Sequence, residues 1–358
     1  MKLLCVHPGA SYATGDVFHG FARALIAQGH DVKHYDLCTR LDDAVKFYRW
    51  RARRSGNTPL AWEEALTKAA MDVIPQALYH QPDWVVIFSG MYFHPDFFIL
   101  LKRAGVKVAL VLSESPYDDE AQARVAPWAD IVFTNERTSV EVLGRVNPNT
   151  HYLAHAYDPE RSSTGPIPEG TPAHDVLFIG TLFEERIALF SEVDWTGIDF
   201  AMYGAFGLLP SRHKLRRYIK GGIVDNRTAQ AMYRAAKVNL NPYRTSKGYG
   251  LGVEHIEGAE SLNPRALELA ACGAFAMSDE RDEIFEVFGS LVPTYRTPQQ
   301  LEQYIRRYLP REVDRQFFAA QLPGKAAPHT YAARAAQLTA TLAGHGVASR
   351  DALATAAD

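Results

Sequence analysis

Cysteine is scarce in this chain of 358 residues: Cys5, Cys38 and Cys272 stand far apart. An odd, scattered set makes neither a disulfide framework nor a zinc pattern and points to a reducing compartment, expected to be the cytoplasm. Long apolar runs are missing too. No stretch approaches the roughly 20 residues of a membrane helix. Met1 to Val6 reads as a short strand entering a glycine loop, so no secretory leader is expected. Charge of one sign is also lacking. The 38 Lys and Arg against 41 Asp and Glu leave a net charge of −3, which gives no global attraction to nucleic acid or to an anionic membrane. The opening strand-loop-helix has no Gly-x-Gly-x-x-Gly, which weakens a dinucleotide-cofactor reading.

What is present suffices for two ordinary domains. Hydrophobic residues make up 47% and charged residues 22%, enough for a core in each half. Lys2 to His7 reads as a buried strand, followed by a loop from Pro8-Gly9 to Asp16 and a helix to Gln28. A second strand, Asp31 to Leu37, completes the usual opening of a doubly wound sheet. Asp83 to Ser89 is a strand running into Gly90-Met-Tyr92-Phe-His94. Val106 to Ser113 is another and delivers Glu114-Ser-Pro-Tyr117-Asp118, where open α/β sheets place their sites. Residues 1–160 form the expected first domain, and the aperiodic, Pro- and Gly-bearing residues 161–174 a linker. A second α/β repeat follows over 175–328: strand Val176 to Thr181 through Gly180, a helix bearing Arg186, then strand Phe200 to Tyr203. A helix over 329–343, able to pack back on the first domain, and an Ala-rich, polar tail over 344–358 that is expected to fray close the chain. Two basic stretches, Arg49 to Arg54 with Tyr48 just before and Trp50 within, and Arg212 to Lys220, could meet a polyanion but read more simply as solvated faces.

The chemistry concentrates between Glu260 and Asp279. Pro264 suits the first turn of a helix, and Gly273 its end. A helix N-terminus favours an anion such as a phosphate. Arg265 in that first turn opposes the dipole and calls for an anion. Glu268, one turn on, can accept the two hydroxyls of a ribose, and Glu260 precedes the helix by one short loop. Together these groups could hold a nucleoside diphosphate and a sugar.

This spacing resembles the Glu-x7-Glu signature of retaining GT-B glycosyltransferases. The run Ser-Leu-Asn-Pro-Arg-x-x-Glu-x-Ala-Ala-Cys-Gly-Ala-Phe resembles more closely the CgeB-like (spore-maturation) glycosyltransferases, also found in phages. Further family-like runs are Ala-Asp-x-Val-Phe-Thr-Asn from Ala129, Tyr-Leu-x-x-Ala-Tyr-Asp-Pro from Tyr152, and His-Thr-Tyr-x-x-Arg from His329. In the second of these Ala154 replaces an expected proline.

The resemblance implies a GT-B fold, two Rossmann-like α/β domains facing an interdomain cleft. It also implies a hexosyl- or pentosyltransferase that uses a nucleotide-sugar, UDP by default. Donor-side candidates are Gly180, Thr181, Arg186, Tyr203, Ser261, Leu262, Asn263, Arg265 and Glu268, with the amides of Ser261 to Asn263 and the two arginines meeting the diphosphate. Glu260 would contact the sugar. Gly9, Asp16, Tyr92, His94 and Tyr117 are acceptor-side candidates. Should the enzyme invert, Glu114 and Asp118 lead as the base, with Asp16 and His94 behind. No Asp-x-Asp occurs, so neither a metal nor a tightly bound cofactor is expected. The acceptor stays open between protein, glycan or small molecule. Two other readings compete: a phage-type enzyme acting on hydroxylated DNA bases, and a non-catalytic GT-B binding protein.

Overall fold

The computed structural model describes residues 1–9, 12–56, 58, 62–90 and 93–355, without side-chain placement for 12, 13, 63 and 346–355. The chain divides into two compact units, Met1–Ala154 with Tyr331–Asp358, and His155–Thr330.

The first unit runs β1 (Lys2–Val6), α1 (Tyr12–Ala27), β2 (Asp31–Tyr35), α2 (Leu37–Ser55), α3 (Trp62–Met71), α4 (Val73–His80), β3 (Trp84–Phe88) and α5 (Pro95–Arg103). It continues with β4 (Lys107–Leu112), α6 (Asp119–Val125), β5 (Ile131–Thr134), α7 (Ser139–Gly144) and β6 (Thr150–Tyr152). The strands pair in parallel in the order β2-β1-β3-β4-β5-β6. β3 reads Trp-Val-Val-Ile-Phe and is buried along its whole length, as a parallel strand covered on both faces must be. One face packs on α2 to α5 through Leu4, Val6, Leu41, Ala69 and Phe97. The other meets α1, whose Gly20 leaves room for the ring of Tyr331; a Cβ there would lie 2.3 Å from it.

The second unit runs β7 (Val176–Thr181), α8 (Glu184–Glu192), β8 (Phe200–Ala205), β9 (Ile219–Gly221), α9 (Asn226–Ala235), β10 (Val238–Asn241), α10 (Pro264–Ala271) and β11 (Ala276–Asp279). It ends with α11 (Asp282–Phe288), β12 (Thr294–Tyr295), α12 (Pro298–Tyr308) and α13 (Glu312–Ala326). Its strand order is β12-β11-β10-β7-β8-β9, again parallel. Alternate side chains of β7 fill different cores: Val176 and Phe178 one, Leu177 and Ile179 the other.

The last helix, α14 (Tyr331–Thr355), belongs to the first unit. Arg334 and Gln337 bond the carbonyls of Ala154 and Tyr152. The helix passes Gly344 and continues to Thr355, since the alanines there favour helix over the frayed coil that a polar tail suggests.

Candidate functional site

In the second unit the chain leaves β7 for β8 and β9 on one side, then returns to β10 on the other. The switch point, where open α/β sheets place ligands, therefore lies between the carboxyl ends of β7 and β10. Arg186 spans it. Its Nη1 donates to the Thr181 carbonyl at 2.7 Å, and Nε and Nη2 donate to the Pro242 carbonyl at 3.1 and 2.8 Å. The side chain is 5% exposed. The Thr181 and Pro242 carbonyls thus occupy its fork, which makes Arg186 a tie between two loop starts.

The start of α10 is anchored to the same place. Asn263 caps the helix, its Oδ1 accepting the Ala266 amide at 2.8 Å. Its side chain also pairs reciprocally with Asn241, the last residue of β10, at 3.2 and 3.1 Å. Arg265 follows in the first turn. Its guanidinium lies 5.8 Å from the centroid of the buried Phe178 ring. It also lies against the Cα of Gly180, where a Cβ would come within 2.7 Å of Nη2. Gly180 is in turn pressed by Gly204, whose added Cβ would meet the Gly180 carbonyl at 2.1 Å. These two glycines permit the close approach that seats Arg265. Behind it stands Tyr233, fully buried. Burial pushes its phenol up to about 12, Arg265 draws it back, and Glu268, half-buried one turn along α10, raises it again. Among the described residues Arg265 makes no ion pair. A half-buried cation at a helix N-terminus, where the dipole opposes it, is thus left without an anion.

The loop before α10 is held from α11. Glu283, 6% exposed, accepts the Leu262 amide at 2.6 Å, while its own amide donates to the Glu260 carbonyl at 3.2 Å. The Leu262 amide, a candidate phosphate donor by sequence, is therefore already spent on a carboxylate. Ser261 is buried and Glu260 half-buried beside it. Tyr203 departs further from expectation. Its hydroxyl lies 3.3 Å from His174 Nε2, and His174 Nδ1 lies 2.8 Å from Asp199. Both partners precede strands, so the Tyr203 hydroxyl is drawn to the amino edge of the sheet and away from the switch point.

The glycine-bearing loop from Tyr243 to Gly258 is tethered to the start of α8. Glu185 accepts from the Thr245 amide at 3.0 Å and from the Ser246 hydroxyl, and Glu184 accepts the Gly252 amide at 2.6 Å. In the basic stretch 212–220, Lys214 donates to the Ser191 carbonyl and Arg216 to those of Leu209 and Pro210. These two cations tie neighbouring backbone segments together.

In the first unit the switch point lies between β1 and β3. Gly9 has φ +99° and its amide donates to His7 Nδ1 at 3.1 Å. Burial lowers the His7 pKa, with Asp36 opposing and His19 adding, so the ring is held neutral with Nδ1 as acceptor. Across from it, buried Ser89 takes φ +68° and Gly90 φ +70°. A non-glycine residue in this region stores strain of the kind found at working sites. Sequence reasoning missed His7 and Ser89, and the only signal was their place at strand ends. Asp16 lies in α1, half-buried. His94 caps α5, its Nδ1 accepting the Asp96 amide at 3.3 Å. Tyr92 lies outside the described residues.

Glu114, Tyr117 and Asp118 come together in one half-buried turn after β4, where the Asp118 amide donates to the Glu114 carbonyl at 3.1 Å. Asn135 clamps that turn, accepting the Ser115 amide at 3.1 Å and donating to its carbonyl at 3.0 Å. Gln122 holds the Ser115 hydroxyl at 2.8 Å. Glu114 and Asp118 each have further partners.

Comparison with known proteins agrees with this architecture. Residues 186–340 match a family model described as glycosyl transferase-like. No curated protein matches the chain in sequence. Among solved structures, sucrose-phosphate synthase from Thermosynechococcus elongatus superposes with a TM-score of 0.62 at 13% identity, covering 99% of this chain and 100% of that one. Anabaena HepE in complex with UDP-glucose gives 0.63 at 11% identity, covering 96% and 100%. An E. coli trehalose-6-phosphate protein bound with UDP-2-fluoro glucose gives 0.58 at 12% identity, covering 96% and 99%. At such identities the likeness establishes the fold. Two parallel six-stranded α/β units of the GT-B kind make up the chain, and its residues 186–340 carry the glycosyl transferase-like signature.

Proposed function

We propose that the chain is a glycosyltransferase that binds a UDP-sugar at the carboxyl ends of β7 and β10 and moves the sugar to a hydroxyl acceptor. The observation that carries this reading is Arg265, a half-buried cation fixed between the Phe178 ring and Gly180 with no ion-pair partner among the described residues. A diphosphate would supply the missing anion, and the guanidinium offers it bidentate donors. Glu268 would take the ribose hydroxyls and Glu260 the sugar. The family match over 186–340 and the UDP-sugars named for the neighbouring HepE and E. coli structures support the same ligand class.

In this reading the bond from the anomeric carbon to the diphosphate oxygen breaks and the acceptor oxygen bonds to that carbon. Arg265 stabilises the negative charge that develops on the leaving group. Because the guanidinium supplies the opposing positive charge, this reading calls on no metal. The resemblance of the Glu260-x7-Glu268 pattern to that of retaining enzymes favours retention, with a phosphate oxygen of the leaving group receiving the acceptor's proton. The test is a thermal-shift and calorimetric screen of UDP, GDP, ADP and TDP and their sugar conjugates. At 100 times its Kd a ligand adds about 2.7 kcal/mol. A shift with one nucleotide, lost in Arg265→Ala and Glu268→Ala, supports the site. No shift with any of them would leave a protein that binds a partner without transferring sugar.

A further inference from the structure

One charged surface is unused by this chemistry. From Lys46 to Arg54, α2 carries five cations and no acid. Lys46, Arg49, Arg51, Arg53 and Arg54 are all exposed, and among the described residues none makes an ion pair. Between them two large apolar rings also face solvent, Phe47 at 50% exposure and Trp50 at 52%. At 3.6 residues per turn, Trp50 falls near the middle of the exposed arc, with Lys46 and Arg54 one turn to either side and Phe47 and Arg53 beside it. The Phe47 and Trp50 centroids are 6.0 Å apart, and the Arg54 guanidinium lies 5.2 Å from the Trp50 ring. The opposite side of the helix, through Leu37, Leu41 and Ala52, is buried, so this face is presented by a fixed element.

We propose that the exposed face of α2 is an adsorption surface for an anionic lipid bilayer. Exposed rings on the crown of a helix, ringed by long cationic side chains, suit a headgroup plane. The rings enter the acyl boundary while the guanidinium and ammonium groups stay level with the phosphates. A single-stranded nucleic acid is better served by a charged groove that tracks its backbone, whereas here the cations surround the crest of one convex helix. The overall charge of −3 does not oppose this, because surface attraction acts within about a Debye length and is set by the local cluster. The proposal stands apart from the sugar-transfer reading and rests on other residues.

The experiment is flotation of the full chain with vesicles of phosphatidylcholine alone or with one part phosphatidylglycerol to two of phosphatidylcholine. The chain floats with the anionic vesicles at low salt, stays behind with the neutral ones, and is released by high salt. Neutralising one cation (Arg51→Gln or Arg54→Gln) lowers the partition roughly fivefold. Trp50→Ala weakens it at unchanged salt dependence, and circular dichroism confirms that each variant is folded. No flotation, or flotation indifferent to both sets of variants, overturns the proposal. So does binding to heparin or an oligonucleotide that depends on these residues while vesicles do not bind, since the partner is then an acidic polymer.

Discussion

The carboxylate of Glu283 accepts the amide of Leu262 at 2.6 Å, and the Glu283 amide returns a bond to the Glu260 carbonyl. One residue of α11 thus fixes the loop that leads into α10 from both ends, in a buried setting. Glu283→Ala leaves the Leu262 amide unpaired and is expected to cost about 1.5–3 kcal/mol of stability, with a weaker donor as its second effect. Glu283→Gln keeps an acceptor at the same place and recovers most of both. Denaturant unfolding and nucleotide titration on the two variants check this. If alanine and glutamine lose donor affinity equally, the effect comes from the charge rather than from holding the loop.

Gly180 and Gly204 are not equivalent. At Gly180 an added Cβ meets the far end of the Arg265 side chain at 2.7 Å, which can move; at Gly204 it meets the backbone of Gly180 at 2.1 Å, which cannot. Both carry positive φ, +156° and +132°. Gly204→Ala is expected to destabilise on the order of 3 kcal/mol or more. Gly180→Ala is expected to cost less stability while displacing the guanidinium and lowering UDP affinity. A Tm series with parallel UDP titrations separates the two, and equal Tm losses would argue against a yielding Arg265.

The tether between α8 and the glycine-bearing loop gives a different readout. Glu185 holds Thr245 and Ser246, and Glu184 holds Gly252, on either side of Lys247. Removing both carboxylates, Glu184→Ala with Glu185→Ala, is expected to speed tryptic cleavage after Lys247 several-fold, because cleavage follows local opening. Mass spectrometry of early fragments identifies the bond. An unchanged rate would mean that the pairing of Ser246 with His255 and the Lys247–Glu254 bridge hold the loop by themselves.

What was legible in the sequence follows from range. The start of α10 could be read locally, since Asn263 is its cap and Pro264 its first residue, as residue type and position suggest. Strand ends were legible for the same reason, and with them the two-unit parallel fold. The ties that Arg186, Leu262 and Tyr203 make could not be read, because those partners lie elsewhere in the chain. Arg186 bonds a carbonyl 56 residues away, Leu262 a carboxylate 21 away and Tyr203 an imidazole 29 away. A basic or aromatic residue near a strand end looks the same in sequence whether it faces a ligand or ties two loops. Ser89 was invisible for another reason, since nothing in its residue type announces φ +68°.

His7 sets a pH dependence. Its pKa is lowered from the ordinary 6.5, by burial first, and its Nδ1 must stay unprotonated to accept the Gly9 amide. A base depressed in the folded state binds fewer protons there than when unfolded. Its contribution is therefore whole above pH 6.5 and is lost as pH falls below that value. His34 and His151 are lowered in the same sense, again by burial first, so the first unit as a whole is expected to weaken towards acid. Urea unfolding between about pH 5 and 7.5 should show stability rising with pH. His7→Gln, which can still accept from Gly9, should flatten part of that slope without removing it. A slope identical in wild type and variant would show that the imidazole is not buried neutral and that something other than His7 positions the Gly9 turn.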